Sequence, residues 1–102
     1  MKKGYQYIND EQESFLKSSG FYKDRANSFL KENTKPFLAT AIMWLEKKYN
    51  VLFVTDIIGY QFLTIVKKER TALFHSEFQK TPDDSKSKAL DLFIKKIKNN
   101  EL

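Results

Sequence analysis

From Phe37 to Tyr49 apolar residues recur at helical spacing, and at Val51 the residue types switch abruptly to β-branched and aromatic. That switch restricts the fold more than any other feature, because a helical-period stripe cannot serve as a strand nor an alternating run as a helix. Phe37, Leu38, Ala41, Ile42, Trp44, Leu45 and Tyr49 form a stripe wide enough to be buried on more than one side. Thr34 is placed to cap this helix, Pro36 suits its first turn and Asn50 ends it. Three strands are expected next, over 51–57, 60–66 and 71–78. Gly59 stands where a tight turn needs positive φ, and Lys67, Lys68, Glu69 and Arg70 fit a second hairpin tip.

The pattern returns to helical period after Thr81. This residue is placed as N-cap, with Pro82 first in the helix and Asp83 and Asp84 against the positive end of its dipole. Ala89, Leu90, Phe93, Ile94 and Ile97 make the core face, while Asp84, Lys88, Asp91 and Lys95 alternate at i, i+4 spacing suited to ion pairs. Upstream, Asn9 and Gln12 have capping-box spacing, Phe15 and Leu16 give a short helix one apolar edge, and Gly20 stops it. A second short helix is expected over 22–32, where Tyr22, Ala26, Phe29 and Leu30 share a face.

The expectation is an α+β, two-layer domain. Residues 1–35 form an N-terminal helical extension, and residues 36–102 form a helix, a three-stranded antiparallel meander and a helix. Both alternation sets of the strands carry apolar residues, so the second sheet face should be covered by the N-terminal helices or by a partner chain. With 102 residues and 41% apolar content, the chain builds one core and not two.

Much chemistry is excluded by what the chain lacks. Without cysteine there is no disulfide framework, zinc–thiolate site or thiol nucleophile. Three glycines at positions 4, 20 and 59 cannot build a phosphate loop. His75 adjoins Ser76 and Asp56 could complete a triad on paper, but neighbours on a strand point to opposite faces. No catalytic residues, cofactor or metal ligands are assigned, and the chain reads as non-enzymatic. The uncharged run 57–66, ten residues and as long as any in the chain, is too short to span a bilayer, and Asn9, Asp10 and Glu11 interrupt any export signal after Met1, so a cytoplasmic protein without membrane contact is expected.

The formal charge is +5, divided as nine basic against six acidic residues over 1–50 and nine against seven over 51–102. Neither half is a basic arm. Candidate partner-binding residues are Lys67, Lys68 and Arg70 at the hairpin tip, Lys86 and Lys88 on the last helix, and Tyr5 and Tyr7 in the aromatic N-terminus.

Two resemblances bear on function. Ser85-Lys86-Ser87-Lys88-Ala89, at the start of a helix that follows three strands, is similar to the phosphate-binding signature of double-stranded-RNA-binding domains. That likeness implies nucleic-acid binding through the last helix. The stretch 39–97, with Trp44-Leu45-Glu46-Lys47-Lys48-Tyr49-Asn50, Val51-Leu52-Phe53 and Thr81-Pro82-Asp83-Asp84, resembles small phage and prophage proteins. This second likeness implies a mobile-element accessory protein that blocks a host protein or ribonucleoprotein, in the manner of CRISPR inhibitors. A structural homodimer is the further alternative.

Overall fold

The computed structural model describes residues 6–24 and 35–101. Helices α1 (Asp10–Ser19), α2 (Phe21–Asp24) and α3 (Leu38–Tyr49) precede strands β1 (Leu52–Ile58), β2 (Gln61–Lys68) and β3 (Thr71–His75), and α4 (Pro82–Lys98) follows. The strands form one antiparallel sheet in the order β1-β2-β3. This is the expected α+β meander followed by a helix. Tyr5, Ala26, Phe29, Leu30 and Thr34, which carried expectations above, lie outside the described residues.

Local chemistry accounts for most boundaries. The Asn9 side chain accepts from the Gln12 N–H at 2.8 Å and the Gln12 side chain accepts from the Asn9 N–H at 3.0 Å, closing the capping box. Gly20, at φ 95°, ends α1 in the left-handed conformation. Thr81 caps α4 by accepting the Asp84 N–H at 3.0 Å, and Pro82 opens the helix.

Three expectations need correction. Helix α3 begins at Leu38, with Phe37 at the N-cap and no side-chain cap. Pro36 stands before it, its carbonyl accepting the Ile8 N–H at 3.3 Å while the Leu38 N–H donates to Gln6 at 2.7 Å. The N-terminal segment thus satisfies the first of the N–H groups that the helix leaves without an intrahelical acceptor. Strand β3 ends at His75; beyond it the chain still runs beside β2 but meets it only where the Ser76 N–H donates to the Thr64 carbonyl and, one residue out of register, where Gln79 pairs with Phe62. Finally, neither Asp84 with Lys88 nor Asp91 with Lys95 closes an ion pair among the described residues; Asp91 accepts from Gln12 Nε2 at 2.9 Å instead.

The core lies between the sheet and the helices. Leu38, Ala41, Ile42 and Leu45 of α3 and Ala89, Leu90, Phe93 and Ile94 of α4 meet Val51 and Val66, while Ile8, Phe15, Leu16 and Phe21 join the same cluster. Hence α1 is built into the core. It packs chiefly on α2 and α4.

The polar tie between α1 and α4 is Gln12, 1% exposed, whose amide also reaches the Ser87 carbonyl at 3.2 Å and hydroxyl at 3.1 Å. Truncation would leave these buried acceptors and the Asn9 N–H short of a partner. Gln12→Ala is therefore expected to destabilise by about 1–3 kcal/mol in urea unfolding, more than an ordinary surface change.

Tyr22 ties α2 to α1 by donating to Glu13 Oε2 at 2.8 Å. Burial, then the bond to and charge of Glu13, push its phenol up to about 12. The folded value exceeds the ordinary 10.0, so this contribution to stability is complete below pH 10.0 and is lost as pH rises through about 12. Titration of phenolate absorbance should contain a component near that upper value, and Tyr22→Phe should remove it.

Candidate functional site at the apolar end of the sheet

Alternation along the strands separates two faces. Phe53 packs edge-on against Phe93 of α4 at 5.6 Å, so Phe53, Thr55 and Ile57 face the helices, with Val66, Thr64 and Phe62 opposite them on β2. Leu52, Val54, Asp56 and Ile58 occupy the outer face, across from Lys67, Ile65, Leu63 and Gln61. Leu63 is buried yet stands apart from the core cluster, as its outer-face position requires. Among the described residues no helix packs across this face. Of the two N-terminal helices expected to cover it, α1 packs chiefly on α2 and α4, and residues 25–32 of the second lie outside the described residues.

The sheet also extends past the helical layer at one end. Near its start α4 is fixed to β2 by Ser85, whose hydroxyl lies 2.7 Å from that of Thr64. Beyond Thr64 the β1–β2 hairpin continues to a two-residue turn, Gly59-Tyr60, closed by the pairing of Ile58 with Gln61. Gly59 has φ 66° at the first central position, where positive φ suits glycine and the turn matches the strand twist. Ile57, Ile58 and Tyr60 are 68%, 54% and 98% exposed on this turn. Phe78, half-exposed, reaches the same end because Gln79 pairs with Phe62.

Hairpin tips are ordinarily polar, and the β2–β3 tip follows that rule. The β1–β2 tip does not: four large apolar side chains sit at one end of an ordered sheet. Large rigid aromatics with adjacent aliphatics are the side chains that anchor protein interfaces. The sequence signal was the uncharged run 57–66, which crosses a turn glycine. Membrane span length does not explain that run; an exposed hairpin does.

The residues singled out from sequence do not form one surface. Lys67, Lys68 and Arg70 lie at the far end of β2, about 24 Å along the strand from Gln61. An open groove of about 430 Å³ there mixes charges, with Glu46, Lys47, Lys67 and Glu69 beside Met43 and Leu52. Lys86 and Lys88 lie in the first turns of α4, ten and eight residues or about 15 and 12 Å from Lys96, whose ammonium sits over the Phe74 ring. Tyr7 is half-exposed and its ring packs on Phe37 at 4.7 Å between centroids.

The phosphate-signature residues are engaged internally. Ser85 is fully buried and donates to the Pro82 carbonyl at 2.8 Å, and the Ser87 hydroxyl and carbonyl receive Gln12. Because Ser85 spends its proton on Pro82, it accepts from Thr64, which in turn accepts from Thr55 at 2.8 Å. Likewise the buried Ser76 hydroxyl donates to the Glu77 carbonyl at 2.9 Å and accepts the Thr64 N–H at 3.0 Å. The exposed His75 ring meets the Ser76 carbonyl at 2.8 Å, not the hydroxyl. These protons hold the sheet to α4, and no serine in the chain of bonds is presented to a base.

Elsewhere, Lys35 bonds Asp10, and this bond holds the Asp10 carboxyl below its ordinary range and the Lys35 ammonium above its own. Among the described residues no three acidic or histidine side chains gather as a metal ion would require, and no helix is long and apolar enough to cross a membrane. No protein-family model, curated protein or solved structure matches the chain.

Proposed function

We propose that the chain is a non-enzymatic binding protein that attaches to another protein through the apolar end of its sheet. The observation that carries this reading is the exposure of Tyr60, Ile57 and Ile58 on an ordered two-residue turn. Large apolar side chains left in water add nothing to the stability of the monomer, and where they gather, as around this turn, they mark interaction sites. The partner would present an apolar pocket for Tyr60. Lys67, Lys68 and Arg70, at the other end of the sheet, would act on the rate of encounter with an acidic surface more than on contact. In this reading, which follows the resemblance to small phage proteins, the partner is a host protein or ribonucleoprotein that the chain blocks by occupying its surface in the cytoplasm of the host cell.

Capture from bacterial host lysate tests this reading. Wild-type protein and Lys86→Ala/Lys88→Ala should retain a stoichiometric partner at moderate salt, whereas Ile58→Ser/Tyr60→Ser should lose at least about tenfold, the scale of a single hot-spot residue. Absence of a stoichiometric partner, or equal retention by the tip variant, would contradict it. Capture lost only with the two lysines, and falling steeply with salt, would instead favour nucleic acid as the ligand.

A further inference from the structure

The outer edge of β1 carries a ladder of backbone groups that no described residue pairs with. The Phe53 N–H is taken by Glu46 Oε2 at 2.9 Å, so Phe53 does not bond to β2. On the other side of β2, Thr64 exchanges bonds with Ser76, and Phe62 with Gln79, so these two residues face away from β1. Both observations set the same phase. Val54, Asp56 and Ile58 bond to β2, and Thr55 and Ile57 direct their N–H and C=O groups to the open edge, where nothing among the described residues meets them.

Natural sheets blunt such edges with proline, lysine, bulges or very short strands. Strand β3 follows this pattern, being five residues long and bulged. Strand β1 has seven residues, Leu-Phe-Val-Thr-Asp-Ile-Ile, with no proline, lysine or bulge. Its single charge, Asp56, decides the register. A two-fold axis at Asp56 would set two carboxylates directly opposite each other, which is repulsive. An axis at Thr55 sets Asp56 across from Val54 of the second copy, Leu52 across from Ile58, and Phe53 across from Ile57. Leu52 and Ile58, each more than half exposed in the monomer, become an apolar cross-strand pair.

We infer that two copies of this chain pair antiparallel through β1 about a two-fold axis at Thr55, joining two three-stranded sheets into one of six strands. Thr55 exchanges bonds with Thr55 of the second copy, and each Ile57 N–H donates to the Phe53 carbonyl opposite. Glu46 keeps the Phe53 N–H and so bounds the ladder. An edge contact of this kind is small, which makes the dimer weak and concentration-dependent. The two Tyr60 turns come to lie roughly 34 Å apart along the paired strands. In the dimer Ile57 and Ile58 stand against Phe53 and Leu52 of the second copy, so each of the two ends presents Tyr60 and Phe78 to the partner proposed above.

Sedimentation velocity on the unmodified protein reads dimerisation without any partner, so its outcome is independent of the capture experiment. The mass should rise from monomer toward dimer between about 10 µM and about 1 mM, the range of a weak interface. Ile57→Pro removes an edge donor that β2 does not use, and should remain monomeric with native circular dichroism. Because the chain has no cysteine, single substitutions report register directly. Thr55→Cys should crosslink on oxidation, since hydrogen-bonded antiparallel neighbours stand about 5.5 Å apart at Cα, whereas Ile57→Cys should not. A monomer at the highest concentration, or crosslinking at Ile57 in preference to Thr55, would overturn the inference.

Discussion

Leu45→Asp is expected to abolish the folded state, with loss of native circular dichroism and of the cooperative unfolding transition. Leu45 is fully buried in α3 within the cluster that includes Leu38, Ala41, Leu90 and Phe93. A carboxylate there has no cation or donor to offset its desolvation. Its burial costs several kcal/mol, a sum comparable to the ~5–15 kcal/mol that holds a domain folded. Met43 lies on the same helix but is 59% exposed, so Met43→Asp should stay within about 0.5 kcal/mol of wild type. A folded Leu45→Asp variant would show that the core is misplaced.

Phe93→Ala should cause the largest loss among substitutions that only remove atoms. The ring is fully buried where α4 crosses the sheet, and it takes edge contacts from Tyr49 at 5.3 Å and from Phe53 at 5.6 Å. It thereby joins α3, α4 and β1. Truncation leaves a cavity that two rigid neighbouring rings cannot fill, at about 3–5 kcal/mol. For a chain of this size the melting temperature should fall by roughly 15–30 °C. A fall of only a few degrees would mean that the layers pack elsewhere.

Elements whose residues satisfy one strong local rule were legible in the sequence. The stripe of α3, the Thr81-Pro82 start of α4, the Asn9–Gln12 capping box and the Gly59 turn all stand where local chemistry puts them. What escaped depended on distant partners. The start of α3 moved because Gln6 and Ile8 bond across to Leu38 and Pro36, and β3 stopped early because the chain after His75 meets β2 only at Ser76 and, out of register, at Gln79. The expected Asp91–Lys95 ion pair gave way to Gln12, a residue on another helix 79 positions from its partner Asp91.

The candidate site escaped for a related reason. Apolar content in both alternation sets implied two covered faces, and covering is a tertiary fact that periodicity does not contain. Only with α4 placed over β2 from Ser85 onward does the bare end at Ile57, Ile58, Tyr60 and Phe78 become visible. Lysines and tyrosines drew notice by type, yet the basic ones are spread between the two ends of the fold.

The most direct measurement of the central claim is the affinity of the captured partner for two folded variants, read by titration calorimetry. Tyr60→Ser should weaken binding at least about tenfold, as loss of a central aromatic anchor does. Lys68→Glu, at the far end of β2, should leave contact affinity within a few-fold and act mainly on the association rate. The reverse ranking, with Tyr60→Ser binding like wild type and Lys68→Glu abolishing the complex, would move the interface to the basic tip and contradict the account.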